Sequence, residues 1–345
     1  MLKTGVCERL GIEHPIFSVG FGPGAGPELV AAVSNAGALG VLGGGGSLPL
    51  PYLREQIRRV RALTTKPFGV NVILVRVEEG PIEACIDEGV PLLVFFWGDP
   101  RPYVEPAHRN GVRVAIQVGS VREAVAAADA GVDFVIAQGL EAGGHVSGTT
   151  ALSVLVPAVV DAISPVPVIA SGGVADGRGL VAAISLGAQG VSMGTRFVAS
   201  QEAFVPGLYK ERIVSATAED TVYAEDLFDV GWENAPHRVL RNAIVSEWEA
   251  AGKQQSGRRP GEGTIVGIRT RDSEILEIPK YAAYMATPEF SGDLEYVPFW
   301  AGQSCSLVQE IKPAGEIVRD TIREAEEVID RLTRIRTSQQ PIPAG

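Results

Sequence analysis

The chain has 345 residues, 46% hydrophobic and 21% charged, which is enough to bury a large core and too apolar for a disordered chain. With 41 acidic against 30 basic side chains, the net charge of −11 opposes non-specific binding to nucleic acid or an anionic membrane. Three scattered cysteines, Cys7, Cys85 and Cys305, exclude a disulfide scaffold and a zinc cluster, and the expectation is a cytoplasmic protein.

The N-terminal MLKTGVCERLGIEHP lacks the apolar core of a leader, and no run of about 18 uncharged apolar residues follows, so no membrane span is expected. A first strand is expected at PIFSVG from Pro15. One device then repeats: a helical stretch ends in a small or polar residue and a glycine, and a β-branched run follows at once. It occurs at Asn35-Ala36-Gly37, Glu88-Gly89, Asn110-Gly111, Ala130-Gly131 and Leu186-Gly187. Glycine past a helix supplies the left-handed cap, and the next run reads as a buried strand. With PFGVNVIL at 67 and PVPVIAS at 165, eight strands are expected, starting near 15, 38, 68, 91, 112, 132, 165 and 189.

Most of these spacings are 20 to 30 residues, room for a strand, a crossover helix and two loops. Near-continuous apolar strands in β/α alternation predict a parallel sheet covered on both faces. Eight units close a (β/α)8 TIM barrel, and an open doubly wound sheet is the alternative. The barrel is expected over 1–200. A mostly helical insertion or lid domain is expected over 201–299, with a short hairpin near 264–278. Residues 300–345 should supply the barrel-closing helix, with Ile317, Val318, Ile322, Ala325, Val328, Ile329 and Leu332 on one stripe.

In such a barrel the chemistry lies on loops after the strands' C-terminal ends. The first two strands lead into Gly20-Phe21-Gly22-Pro23-Gly24 and Gly43-Gly44-Gly45-Gly46, which leave room for a large flat ligand. The third carries Asn71, and the fourth ends in Phe95-Phe96-Trp97, which would wall a ligand or fill the barrel. Glycine pairs after the last two strands, Gly172-Gly173 and Met193-Gly194-Thr195, form the loops where barrels bind phosphate through backbone amides. The sixth strand opens the longest connection and leads into Gln138-Gly139-Leu140-Glu141-Ala142-Gly143-Gly144-His145. His145 can there act as a general base or hydrogen-bond donor, or be structural. Glu141 reads as an acid or a loop anchor. No histidine has carboxylates or cysteines at ligand spacing, so no metal site is expected.

These residues resemble the nitronate monooxygenase family. The likeness runs through QGLEAGGH (138–145), ASGGV (170–174) and MGTRF (193–197), with VNVIL around Asn71, DVGWENAPHRVLRN in the insertion and FWAGQS at 299–304. It implies non-covalent FMN, with Gly172, Gly173, Gly194 and Thr195 at the phosphate and backbone contributed by Ser192 and Met193. Asn71, Gln138 and Gly143 would flank the flavin, and His145 matches the family's catalytic histidine. Many members follow EAGGH with Arg-Gly, where this chain has Val146-Ser147. The implied reaction is oxidation of an alkyl nitronate, or a nitroalkane, by O2 to a carbonyl compound and nitrite through one-electron flavin chemistry. The implied partners are a nitronate, O2 and, as an option, a second copy in a homodimer. The alternatives are an NAD(P)H-dependent reductase of an enoyl thioester or quinone, and a barrel that binds a phosphorylated metabolite without flavin chemistry.

Overall fold

The computed structural model describes residues 2–44, 48–77, 80–271 and 274–337, so Gly45 and Gly46 of the second glycine loop lie outside the described residues. The eight expected strands form as β1 (Ile16–Ser18), β2 (Gly40–Gly43), β3 (Phe68–Ile73), β4 (Leu92–Phe96), β5 (Arg113–Val118), β6 (Phe134–Gln138), β7 (Val168–Ser171) and β8 (Gly190–Met193). All pair parallel: β1 on β8, β8 on β7, and so in descending order to β2. The ring closes where Phe17 bridges Leu39. There the Ser18 N–H donates to the Leu39 carbonyl and the Leu39 N–H to the Ile16 carbonyl, both at 2.9 Å. An open sheet is thereby excluded, and the fold is a TIM barrel.

The five repeat glycines do what their placement predicts: Gly37, Gly89, Gly111, Gly131 and Gly187 all have positive φ, from 65° to 98°. Strands β2, β4, β6, β7 and β8 are buried along their whole length, because the barrel interior covers one face and helices the other. Phe17, Val41, Val94, Phe134 and Ile169 pack with Val6, Cys7 and Leu10 of the N-terminal helix Gly5–Leu10. That helix plugs the bottom of the barrel, where Thr4 Oγ1 donates to the carbonyl of Gln189, just before β8, at 2.6 Å.

Only the four-residue helix Thr195–Val198 directly follows β8. The eighth outer position is taken by the C-terminal helix Ala314–Thr337, which packs against Gly177–Ser185 and Pro27–Asn35. Its approach is close: the Gly177 N–H donates to Glu324 at 3.1 Å, and a Cβ on Gly177 would strike the Ala325 backbone.

The intervening segment departs from the expected helical lid. It holds two α-helices, Gly207–Ser215 and Ala243–Ala250, but also five strands. Thr221–Ala224 pairs His237–Leu240, and Ile265–Arg271 pairs both Glu274–Pro279 and Phe290–Gly292. The hairpin expected near 264–278 is thus present within a larger sheet. The physical reason is local: Thr221–Ala224 alternates between half-buried and buried, a period of two that suits a one-sided strand. The loop after β6 adds Gly144–His145 to the edge of His237–Leu240, with His145 opposite His237, and so ties the lid to the barrel mouth. Among the described residues no helix is long and apolar enough to cross a membrane.

Candidate active site

Parallel barrel strands deliver their C-terminal ends to one rim. Here Gly20, Gly43, Asn71, Phe96, Gln117, Gln138, Ser171 and Ser192 border one cavity of about 950 Å³. The lid supplies its other wall through Trp232, Arg269, Arg271, Tyr284, Met285 and Trp300. The floor is backbone at close quarters: a Cβ on Gly20 would strike Asn71 and the Leu42 carbonyl, and one on Gly43 would strike the Gly22 backbone. On the β7 side, Gly172 and Gly173 hold φ of 101° and 70°, a conformation that L side chains resist. A Cβ would meet Ala142 and the Gly139 carbonyl at 3.1 Å on Gly172, but nothing closer than 3.6 Å on Gly173 or Gly194, and all three glycines border the cavity. That is the cradle a phosphate group needs.

His145 stands on the cavity wall with its ring centroid 3.9 Å from that of Trp232 and 5.0 Å from that of Trp300. Its Nε2 is buried and has no hydrogen-bond partner. Burial, then the neighbouring His237 and the Arg76 cation, hold its pKa well below the usual histidine range, so the ring is neutral near pH 7. His237 is spent on structure instead. Its Nε2 accepts from the Phe228 N–H at 3.1 Å, which leaves Nδ1 to donate to the Ala235 carbonyl at 2.9 Å. Burial pushes its pKa down to about 4.

Of the residues singled out in the sequence, Asn71, Gln138, Gly143, His145, Gly172, Gly173, Ser192, Gly194 and Thr195 all border this cavity. Met193 does not. Its side chain is in the outer core and its carbonyl accepts from the Val19 N–H at 3.2 Å, because alternate residues of a strand face opposite sides. Several of the others carry structural duties as well. Gln138 donates to the His145 carbonyl at 2.9 Å and fixes the loop that presents the imidazole. Gly143 has no room for a side chain against the Ala301–Gly302 backbone. Thr195 Oγ1 accepts from the Gly302 N–H at 2.9 Å, leaving its hydroxyl proton for a ligand. Asn71 donates to the Val94 carbonyl at 3.1 Å.

Glu141 is an anchor, its carboxylate accepting from the Leu152 N–H at 3.0 Å. The aromatic run after β4 divides its work. Phe95 is fully buried beside Tyr103, whereas Phe96 lines the cavity and Trp97 stacks on it and meets Trp232 edge-on at 5.0 Å. Trp232, Trp300, Arg76 and Arg269 were not singled out from the sequence. Both tryptophans lie within stretches that carry the family likeness, but nothing in their local pattern says that they converge on His145. Among the described residues no cluster could hold a metal ion.

The family model described as nitronate monooxygenase matches residues 3–84 and 77–324. A Mycobacterium tuberculosis protein named (3aS,4S,5R,7aS)-5-hydroxy-7a-methyl-1-oxo-octahydro-1H-indene-4-carboxyl-CoA dehydrogenase is 38% identical, over 98% of this chain and 98% of its own. A Staphylococcus saprophyticus protein named probable nitronate monooxygenase is 30% identical, over 96% of this chain and 99% of its own. Among solved structures, FabK from Thermotoga maritima superposes with a TM-score of 0.79 at 37% identity, covering 97% of this chain and 100% of its own. A nitroalkane oxidase from Streptomyces ansochromogenes gives 0.74 at 26% identity, over 93% and 98%.

Proposed function

Because the chain belongs to the nitronate monooxygenase family, a family of oxidoreductases, we propose that it uses FMN to exchange a hydride and a proton with the acyl carbons of a coenzyme A thioester. The observation that carries this reading is the shape of the cavity. It is bordered both by the glycine loops and His145, whose Nε2 is unpartnered, and by the hairpin residues Arg269, Arg271 and Leu276. A volume of about 950 Å³ is at the upper end for a small-molecule site, more than a flavin and a few-atom nitronate require. The 38% identical relative, whose name is that of an indene-4-carboxyl-CoA dehydrogenase, supports a coenzyme A thioester as substrate class.

The positive-φ backbone of Gly172-Gly173, Gly194 on the cavity wall and the hydroxyl proton of Thr195 fit a flavin mononucleotide's phosphate. Ser192 would add to that end, and Asn71, Gln138 and Gly143 would border the ring. A bound flavin would supply the two-electron relay between a nicotinamide and the acyl carbons. His145 then has two tasks. It places one imidazole nitrogen against the thioester carbonyl oxygen, and it holds or moves the proton exchanged at the adjacent carbon. Neutrality suits both, since an imidazolium could accept nothing. Trp97, Trp232 and Trp300 exclude water from that nitrogen, which strengthens its hydrogen bonds.

Nitronate oxidation by O2 is the second reading, favoured by the same imidazole: a buried, neutral donor among tryptophans also suits an anionic nitronate oxygen. Steady-state assays of the FMN-loaded protein separate the two. Thioester-dependent oxidation of NADH or NADPH without nitrite release is the expected result. Nitrite release from ethylnitronate, with no thioester-dependent nicotinamide oxidation, would overturn the first reading in favour of the second.

A further inference from the structure

Arginines that approach the interior of this protein mostly spend their guanidinium groups on the chain itself. Arg196 donates to the Glu310 carbonyl at 2.8 Å and Arg238 to the Leu140 carbonyl at 3.1 Å. Arg259 pairs with Asp229 at 2.7 Å and with Glu262. Arg271, on the cavity wall, pairs with Glu289 at 2.9 Å and lies 4.4 Å from the Tyr52 ring centroid.

Arg76 and Arg269 differ. Both line the cavity, and among the described residues neither guanidinium has a carboxylate partner or a hydrogen bond. The Nε of Arg269 is buried with nothing to donate to. Burial pushes the Arg76 pKa down, and among the described residues no carboxylate pushes it back. Both arginines are half-buried, so water and, for Arg76, the Trp232 ring offset part of the desolvation cost, and an anion would recover more. Two of them in one cavity are unexpected in a chain of net charge −11.

Their placement is informative. Arg76 lies 5.0 Å from the Trp232 ring centroid, and Trp232 packs on His145. Arg269 shares the lid wall with Tyr284, whose carbonyl accepts from Trp300 Nε1 at 3.2 Å, and Trp300 also packs on His145. Arg76 is thus one aromatic ring removed from the imidazole, and Arg269 lines the same cavity as the rings around it. A planar fork of donors matches phosphate oxygens in pairs, which a single ammonium group cannot do.

We propose that Arg76 and Arg269 anchor the adenosine diphosphate portion of a long substrate or cosubstrate whose reactive end lies at His145. This rests on the reading that redox chemistry occurs beside His145. Two sources carry that portion: the nucleotide end of a coenzyme A thioester and the diphosphate of a nicotinamide dinucleotide.

The test is direct binding to the FMN-loaded protein, followed by tryptophan fluorescence, with ADP, coenzyme A, NADH and pantetheine as probes. ADP is expected to bind, and R76Q and R269Q should each weaken it about tenfold and flatten its salt dependence. R269K, which keeps the charge without the fork, should fall between. Pantetheine, which has no diphosphate, should bind R269Q and the parent protein alike. Whichever of coenzyme A and NADH weakens with ADP is the natural source. Retained flavin absorbance in each variant shows that it has folded. Equal ADP affinity in all the proteins, or no ADP binding to the parent, overturns the anchor. Nitrite release together with arginine-dependent ADP binding would instead sink the thioester reading and leave the anchor standing.

Discussion

A buried polar atom without a partner costs free energy, on the order of 1–3 kcal/mol, so Nε2 of His145 is the residue-scale feature that most calls for a ligand. Its surroundings favour the neutral ring over the charged one, chiefly through burial. Replacing His145 with Asn should therefore leave flavin bound while turnover falls about 10²- to 10⁴-fold; retained turnover at full flavin occupancy would remove His145 from the chemistry. Because its pKa is well below the usual range, kcat should stay flat between about pH 6 and 8, and a limb near pH 6.5 in the pH profile would contradict the neutral assignment. The position of this histidine was legible, since a long loop after the sixth strand placed it at the barrel mouth. Its electrostatics were not. They depend on Arg76, on Trp232 and His237 of one lid stretch, and on Trp300, three stretches of chain far apart in sequence.

Among the elements, the legible ones are those whose signal is local. Five glycines after helices marked five strand starts, and each adopts the positive φ that its role requires. The glycine cradle was legible for the same reason. At Gly172, with φ of 101°, an alanine costs about 1–2 kcal/mol of backbone strain. G172A should accordingly bind FMN about tenfold more weakly in equilibrium dialysis, and unchanged affinity would place the phosphate elsewhere. Met193, expected at the site only through its backbone, turns its side chain toward the helices by strand alternation. The lid carries more strand than its sequence suggests because Thr221–Ala224 and His237–Leu240, 4 residues each, are too short to show a clear period of two. The N-terminal plug Gly5–Leu10, only 6 residues long, gives no helical period either.

At the scale of the whole molecule, the pairing of His145 opposite His237, beside the Arg238 bond to the Leu140 carbonyl, ties the lid to the mouth, and His237 is locked by two hydrogen bonds. This makes the assembly pH-sensitive in a definite direction. His237 has a pKa of about 4 in the fold against 6.5 for an ordinary histidine. Between those values the unfolded chain holds a proton that the folded chain refuses. Stability is thus full above about pH 6.5 and falls as the pH drops toward 4, by on the order of 3 kcal/mol. Urea midpoints at pH 7 and pH 4.5 should show this drop, and H237Q should narrow it; an equal drop in both proteins would assign it to other groups. Barrel and lid together line a cavity of about 950 Å³, and the central claim is that a flavin in it exchanges electrons with a thioester. An anaerobic absorbance titration of the FMN-loaded protein measures this directly. The account predicts that NADH or NADPH bleaches the flavin in one two-electron step and that an enoyl-coenzyme A then restores its colour. A flavin that ignores both nicotinamides and thioesters but changes its spectrum with ethylnitronate would contradict it.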